Sequence, residues 1–204
     1  DANGPSFCSG HDLKEINLEN DKASYKKLFN LCSSVMLSII KLDIPVIASV
    51  HSTATAAGCQ LVATCDLAIA SDKARFATPG VNIGLFCSTP MVALSRNISK
   101  KHSMEMLLTG DLIDALTAKE YGLINRVVPD KDLNDTVLEI AKKILKKSSK
   151  TIATGKKAFY EQLELGVSEA YKFTSEIMTD NMTEYNAQEG VDAFLQKRSP
   201  VWKG

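Results

Sequence analysis

Proton transfer at carbon needs a carboxylate or an imidazole beside the reacting atom, and covalent catalysis needs an activated serine or cysteine. The chain offers three histidines (His11, His51 and His102) and five cysteines (Cys8, Cys32, Cys59, Cys65 and Cys87). Neither set falls into a recognised catalytic spacing. An odd number of cysteines without a C-x-x-C pair argues against a disulfide framework or a zinc site and suits a reducing compartment. A serine hydrolase needs G-x-S-x-G and a histidine partner; Gly84-Leu-Phe-Cys-Ser-Thr89 does not fit, and His51 and His102 read as loop and helix-surface residues. No G-x-G-x-x-G turn for a dinucleotide is present. One run stands out, Ala54–Ala63 (ATAAGCQLVA), crowded with small residues. Small residues let a helix N-terminus approach closely whatever lies before it, with its N–H groups leading.

The elements that must position that run follow from hydrophobic periodicity. Segment 23–41 places Leu28, Leu31, Val35, Ile39 and Ile40 at helical spacing, which predicts an amphipathic helix. Pro45–Val50 and Leu67–Ala70 read as buried strands, and Arg75–Ala77 as a third. Thr78–Gly84, with one proline and two glycines, predicts turns around a short strand or loop. Segments 88–97 and 101–109 are helical, the second stopped by Gly110. Thr117-Ala-Lys-Glu120 has the capping-box pattern and opens a short helix ending at Gly122, after which Val127-Val-Pro is a strand-like exit. Beyond Asp130 the character changes to helical periodicity over 131–148, 150–166 and 167–184. An α/β body over 1–128 and a helical region over 129–204 are therefore expected, with the boundary near 126–131. The lysine-rich stretch Lys142–Lys157 reads as a solvated helix face.

Composition narrows the function classes. The 204 residues and 22.2 kDa allow one or two domains. Lys+Arg and Asp+Glu both number 24, so the chain lacks the positive excess that phosphate-backbone binding draws on, and no nucleic-acid partner is expected. Hydrophobic residues at 45% and charged residues at 24% are ordinary globular usage. No apolar run reaches about 18–20 residues, so no membrane span is expected. The chain opens Asp-Ala-Asn-Gly-Pro, without an initiator Met, signal peptide or transit segment, and reads as if it begins inside a domain.

A family resemblance gathers these observations. Phe7-Cys-Ser-Gly-His-Asp-Leu-Lys-Glu15 resembles the first loop of the enoyl-CoA hydratase/isomerase (crotonase) superfamily. Pro45–His51, Ala56-Ala-Gly-Cys-Gln-Leu61, Cys65-Asp-Leu, Phe76 and Asn82-Ile-Gly84 follow in that family's order. Leu108-Thr-Gly110, Gly122–Pro129 and the stretch from Gly190 to Phe194-Leu-Gln-Lys-Arg198 complete the series over essentially the whole chain. The resemblance implies an α/β crotonase (ClpP-like) ββα spiral with a C-terminal helical trimerisation region. It also implies that the family's first strands are absent here. Expressed alone, such a chain is expected to expose apolar sheet edge.

The resemblance also implies a chemistry. Two backbone N–H groups, those of His11 and Ala57, would form an oxyanion hole for a thioester enolate, with Gly58 leaving the thioester unobstructed. Close helix–sheet packing is the other reading of Ala57-Gly58. Ser9, Lys14, Cys87, Phe194 and Lys197 fall at positions facing substrate or coenzyme A, Lys197 from a neighbouring subunit; a plain surface lysine is the other reading of Lys14 and of Lys197. For Cys87 a buried inert thiol is the alternative. Asp12 and Asp66 match structural, loop-closing positions. The two hydratase glutamates are replaced by Gln60 and Gly80, and a third position, an Asp in isomerase and dehalogenase branches, is Ser88. An amide holds a water but takes no proton, and losing such a group costs about 10²–10⁴-fold in rate. True hydration is therefore not expected. Three readings stay open: an acyl-CoA enzyme working without carboxylates, with His11, Gln60, Cys87 and Ser88 as candidate side chains and malonyl-type decarboxylation as the example; a non-catalytic acyl-CoA-binding regulator; and an assembly protein with a vestigial pocket. No metal or redox cofactor is implied, the partners are acyl-CoA and copies of the chain as a homotrimer or dimer of trimers, and the resemblance places it in mitochondrial fatty-acid metabolism.

Overall fold

The computed structural model describes residues 1–18 and 21–203. They divide into two compact units, one of Asp1–Ile39 with Val46–Leu138, the other of Ile40–Pro45 with the chain from Glu139 onward. The first unit begins with α1 (Leu13–Leu18) and α2 (Lys22–Lys41) and then alternates short strands with helices: β1 (Ile47–Val50), β2 (Ala54–Thr55), α3 (Ala57–Thr64), β3 (Leu67–Ser71) and β4 (Arg75–Ala77). After these come α4 (Pro90–Asn97), α5 (Lys100–Thr109), β5 (Ile113–Asp114), α6 (Ala115–Tyr121) and β6 (Arg126–Val128).

Two three-stranded sheets form. One runs β1-β3-β6, parallel throughout, with Ile47 opposite Leu67 and Ile69 opposite Arg126. The other runs β2-β4-β5, with β2 parallel and β5 antiparallel to β4. Parallel strands are buried on both faces and so read as continuous apolar runs; Val50, Ile69 and Ala70 are sealed from solvent, as the expected strands require. Phe76 of β4, Val62 of α3, Leu94 of α4 and Met106 of α5 fill one core with Val50 and Ala70.

Local chemistry overrides pattern in several places. Of the two expectations for this segment, a short strand or a loop, no strand forms: Pro79–Ile83 is a 3₁₀ turn, because Pro79 pre-sets φ and Gly84 closes it in the left-handed region at φ 76°. The helix assigned to Thr117 starts at Ala115 instead. Asp114 caps it by accepting the Thr117 N–H at 2.8 Å, and that bond holds the Asp114 carboxyl below its ordinary range. α1 is a six-residue helix capped by Asp12, which accepts the Lys14 N–H at 2.8 Å. No residue of α2 is fully buried: Leu31 and Val35 of its apolar stripe are exposed, and Leu28, Ile39 and Ile40 are half-buried.

In the second unit the chain is helical. α7 (Leu133–Leu145) leads into it, followed by α8 (Ser149–Gln162), α9 (Val167–Thr183) and α10 (Tyr185–Leu195). α10 is additional to the expected helices. Glu184 breaks α9 with an extended backbone, and the helix-weakening Gly190 within α10 is matched to Trp202, whose ring would lie 3.4 Å from an added Cβ. Lys156, expected on a solvated face, is buried and donates to the Ile44 carbonyl at 3.0 Å. The chain end is strapped back. Arg198 donates to both Glu189 oxygens (2.6 and 2.8 Å), the Val201 N–H donates to Glu189, and the Trp202 indole donates to the Lys146 carbonyl.

The Arg198 guanidinium, with help from the Val201 N–H, pulls the Glu189 carboxyl down to about 2 from an ordinary 4.5. A depressed carboxyl contributes stability that is present above 4.5 and is lost as pH falls through about 2. The expected outcome is that the unfolding temperature of the unaltered protein drops more steeply than that of Glu189→Gln between pH 4.5 and 2. Parallel melting curves across that window would remove the strap's electrostatic role.

Candidate functional site

The site is built where the loop 7–11 docks on β2 and on the start of α3. The N–H groups of Phe7 and Cys8 both donate to the Thr53 carbonyl (2.9 and 3.2 Å), and the Thr55 N–H donates to the Cys8 carbonyl at 2.9 Å. Cys8 thereby makes a parallel bridge to Ala54, and the Thr55 hydroxyl donates to the Ser9 carbonyl at 3.2 Å. Two unusual backbone conformations turn the chain at this junction. Gly10 has φ 96°, and Ala56, the residue before α3, has φ 50° and ψ −118°. A non-glycine residue at positive φ is strained; Ala56 is held there by donating to the Ala77 carbonyl and accepting from the Gln60 N–H, both at 3.0 Å.

The approach is close enough to dictate residue type. A Cβ on Gly58 would lie 2.0 Å from the Cys8 carbonyl oxygen, and one on Gly10 would lie 3.0 Å from the Ala56 Cβ and 3.4 Å from the Ala57 nitrogen. Residue 58 is therefore glycine because the Cys8 backbone occupies the space. Gly10 brings the backbone just before His11 against the first N–H of α3. Among the described residues no acceptor takes the His11 or the Ala57 N–H. The first N–H groups of a helix have no partner within it and carry partial positive charge, so this corner can hold an oxygen that is gaining negative charge.

The side chains around it are mostly neutral. Gln60, one turn along α3 from Ala57, is 5% exposed, and the Cys32 thiol of α2 donates to its Oε1 at 3.9 Å. Burial, with the Cys8 thiol second, pushes the Cys32 thiol up. The His11 ring meets the Phe29 ring edge-on with centroids 5.9 Å apart, and a small cleft lined by His11, Glu15, Tyr25 and Leu28 opens beside it. Ser9 and Lys14 are exposed. Asp66 accepts the Val46 N–H at 2.7 Å and ties β1 to the end of α3.

The segment carrying Gly80, Cys87 and Ser88 is shaped by its own backbone. A Cβ at residue 80 would lie 2.6 Å from the Leu85 carbonyl oxygen and 2.9 Å from the Cys87 sulfur. Cys87 is buried in the core, where its sulfur accepts the Gly80 N–H at 3.3 Å, so it offers no free thiol at the surface. Its neighbour Cys59 is pushed up to about 12 by burial first and by Cys87 second. The Cys59 thiol therefore stays protonated near neutrality and inert as a nucleophile. Ser88 is exposed and donates to the Phe86 carbonyl at 3.3 Å. Phe194 and Lys197 belong to the helical unit, where both are exposed and Lys197 takes φ 54°.

Cys32, Phe29 and Ala56 are the site residues that pattern reading does not single out. Cys32 had a signal: four residues beyond Leu28 and three beyond Phe29, it shares the helix face that turns towards α3.

Known proteins point one way. The family described as enoyl-CoA hydratase/isomerase matches residues 2–204. The chain is 51% identical over 201 residues to the Rattus norvegicus protein named enoyl-CoA hydratase domain-containing protein 3, mitochondrial, covering 98% of this chain and 67% of that one. It is similar to the crystal structure of an enoyl-CoA hydratase of Mycobacterium smegmatis, with a TM-score of 0.96 and 52% identity over 98% of this chain and 78% of that one. It is also similar to the crystal structure of human enoyl Coenzyme A hydratase domain-containing protein 3, with a TM-score of 0.95 and 51% identity over 98% and 79%. The chain spans about two thirds of the length of the curated relatives it matches.

Gly58 gives a direct check on the corner. Gly58→Ala must push the Cys8 backbone away and is expected to cost about 3 kcal/mol, the upper end of core overpacking. Gly155→Ala, in the interior of α8 with open space around it, is expected to stabilise by up to about 1 kcal/mol. Urea unfolding reads both; equal midpoints for the two variants would refute the close approach.

Proposed function

The chain belongs to the enoyl-CoA hydratase/isomerase family, and from that premise we propose that it is a crotonase-fold acyl-CoA thioester-binding protein of fatty-acid metabolism. What supports the reading is that the backbone at Gly10, just before His11, lies against the start of α3, and that among the described residues neither the His11 nor the Ala57 N–H has an acceptor. A thioester oxygen seated there accepts from both. As an enolate forms, charge grows on that oxygen, and each preorganised donor lowers the barrier by about 3 kcal/mol.

The same reading makes hydration a poor fit. Water addition needs one group to take a proton from water and another to deliver one to carbon. Gln60 does neither. The Leu85 carbonyl closes the space a side chain at Gly80 would need. This favours, as a second reading, decarboxylation of a malonyl-type thioester. There the bond between the α-carbon and the carboxylate carbon breaks, carbon dioxide leaves, and the electron pair passes into the enolate held by His11 and Ala57; water then supplies a proton to the α-carbon. Binding without turnover, as a regulator, is what the corner does if no such substrate reaches it. In the same proposal the exposed Phe194 and Lys197 meet the coenzyme A of a neighbouring subunit in a homotrimer or dimer of trimers. Exposed Leu195 and Val201 in the helical unit support an assembly surface. Ser9 and Lys14 line the coenzyme's path on the other side, the chemistry requires no metal or redox cofactor, and a mitochondrial location follows the naming of the rat relative.

Butyryl-CoA is expected to bind about tenfold or more tightly than its thioether analogue S-butyl-CoA, which lacks the oxygen the two N–H groups would hold. Calorimetry measures the ratio, and equal affinities would overturn the thioester corner. Crotonyl-CoA hydration is expected to fall at least about 10²-fold below that of a two-glutamate hydratase. Hydration at full family rates would refute the argument from Gln60 and Gly80, and carbon dioxide release from methylmalonyl-CoA would select the decarboxylase over the regulator.

A further inference from the structure

Gln60 is 5% exposed, yet its amide is engaged at one end only. Oε1 accepts from the Cys32 thiol at 3.9 Å. No described residue takes the Nε2 hydrogens. The sole fully buried side-chain polar atom left without a partner, among the described residues, is the Ser103 hydroxyl. Nε2 is therefore the part of Gln60 that reaches accessible space. A thiol is a weak donor, but an amide has only two orientations about its last torsion. Flipping Gln60 would leave Oε1 free and set Nε2 against the sulfur of a thiol that burial keeps protonated.

We infer that Gln60, oriented by Cys32, is a specificity residue that donates a hydrogen bond to an acceptor oxygen on the third carbon of the acyl group, as in a 3-oxoacyl or malonyl-type thioester. The inference rests on the acyl-CoA reading above. Ala57 and Gln60 lie three residues apart on one face of α3, and a helical side chain leans back towards the N-terminus of its helix. A thioester oxygen on the Ala57 N–H thus places the first acyl carbons under the Gln60 amide. A plain saturated chain seated there shuts those N–H groups off from water and leaves them unsatisfied. A chain with a carbonyl or carboxylate oxygen satisfies them. Discrimination by a donor that one ligand satisfies and the other does not is stronger than discrimination by size. Cys32 touches no ligand in this arrangement and acts as a positioning residue through Gln60.

The test uses the full chain with three probes of similar length: butyryl-CoA, acetoacetyl-CoA and malonyl-CoA, each titrated by calorimetry. The expected result is that at least one of the two oxygen-bearing thioesters binds about five- to tenfold more tightly than butyryl-CoA. Which of them does so separates the 3-oxo from the malonyl source. Gln60→Leu and Cys32→Ala are expected to bring that ratio close to one, and Cys32→Ser, which keeps a donor, to retain it. A merely structural role for Cys32 would lower all affinities together and leave the ratio intact. Equal binding of all three thioesters by the unaltered protein, or a preference that survives Gln60→Leu, overturns the inference while leaving the acyl-CoA reading in place. Failure of every thioester to bind more tightly than free coenzyme A removes the acyl-CoA reading itself.

Discussion

Everything near the first strands answers to one contact, the Cys8 carbonyl pressed against the α-carbon of Gly58. With 2.0 Å between that oxygen and a Cβ at residue 58, only a glycine leaves the carbonyl in place. The carbonyl is itself fixed, because it accepts the Thr55 N–H as part of the bridge to β2. The loop therefore enters at a set height on the helix, and the two junctions that join loop and strand to it must bend sharply. Gly10 does so without penalty. Ala56 does so under strain, of order 1–3 kcal/mol, which the Ala77 and Gln60 backbone bonds hold in place. The His11 and Ala57 N–H groups, without an acceptor among the described residues, are what this geometry leaves behind.

Much of the architecture was legible because burial writes itself into long or uninterrupted apolar patterns. β1, β3 and β4 coincide with the runs that marked them, and α5 stops at Gly110 in the left-handed conformation a glycine permits. What stayed illegible was decided by single side chains or by distant residues. Asp114 captured the start of α6 from Thr117 with one short bond, and Pro79 tightened the following segment into a 3₁₀ turn. α10 carries Gly190 in its interior, and its packing against Trp202 has no trace in local periodicity.

The candidate site shows the same division. Gly10, Ala57, Gly58 and Gln60 stand out as small or neutral residues in an order that suggests a purpose. The pairing of Cys32 with Gln60 crosses 28 residues of sequence and depends on how α2 lies beside α3. The five cysteines also look alike in the sequence. In the fold Cys59 and Cys87 are packed into the interior, while Cys32 is half-exposed beside an amide.

A corner made of main-chain amides has an evolutionary consequence. Side-chain substitution cannot delete an N–H group; apart from proline, it can only displace one. Exchange of a side chain such as Gln60 leaves those main-chain N–H groups in place, so the side-chain chemistry beside them can change while the backbone geometry stays. The constraint falls on residues that cannot gain size, Gly58 above all, because the Cys8 carbonyl occupies the space a side chain would need.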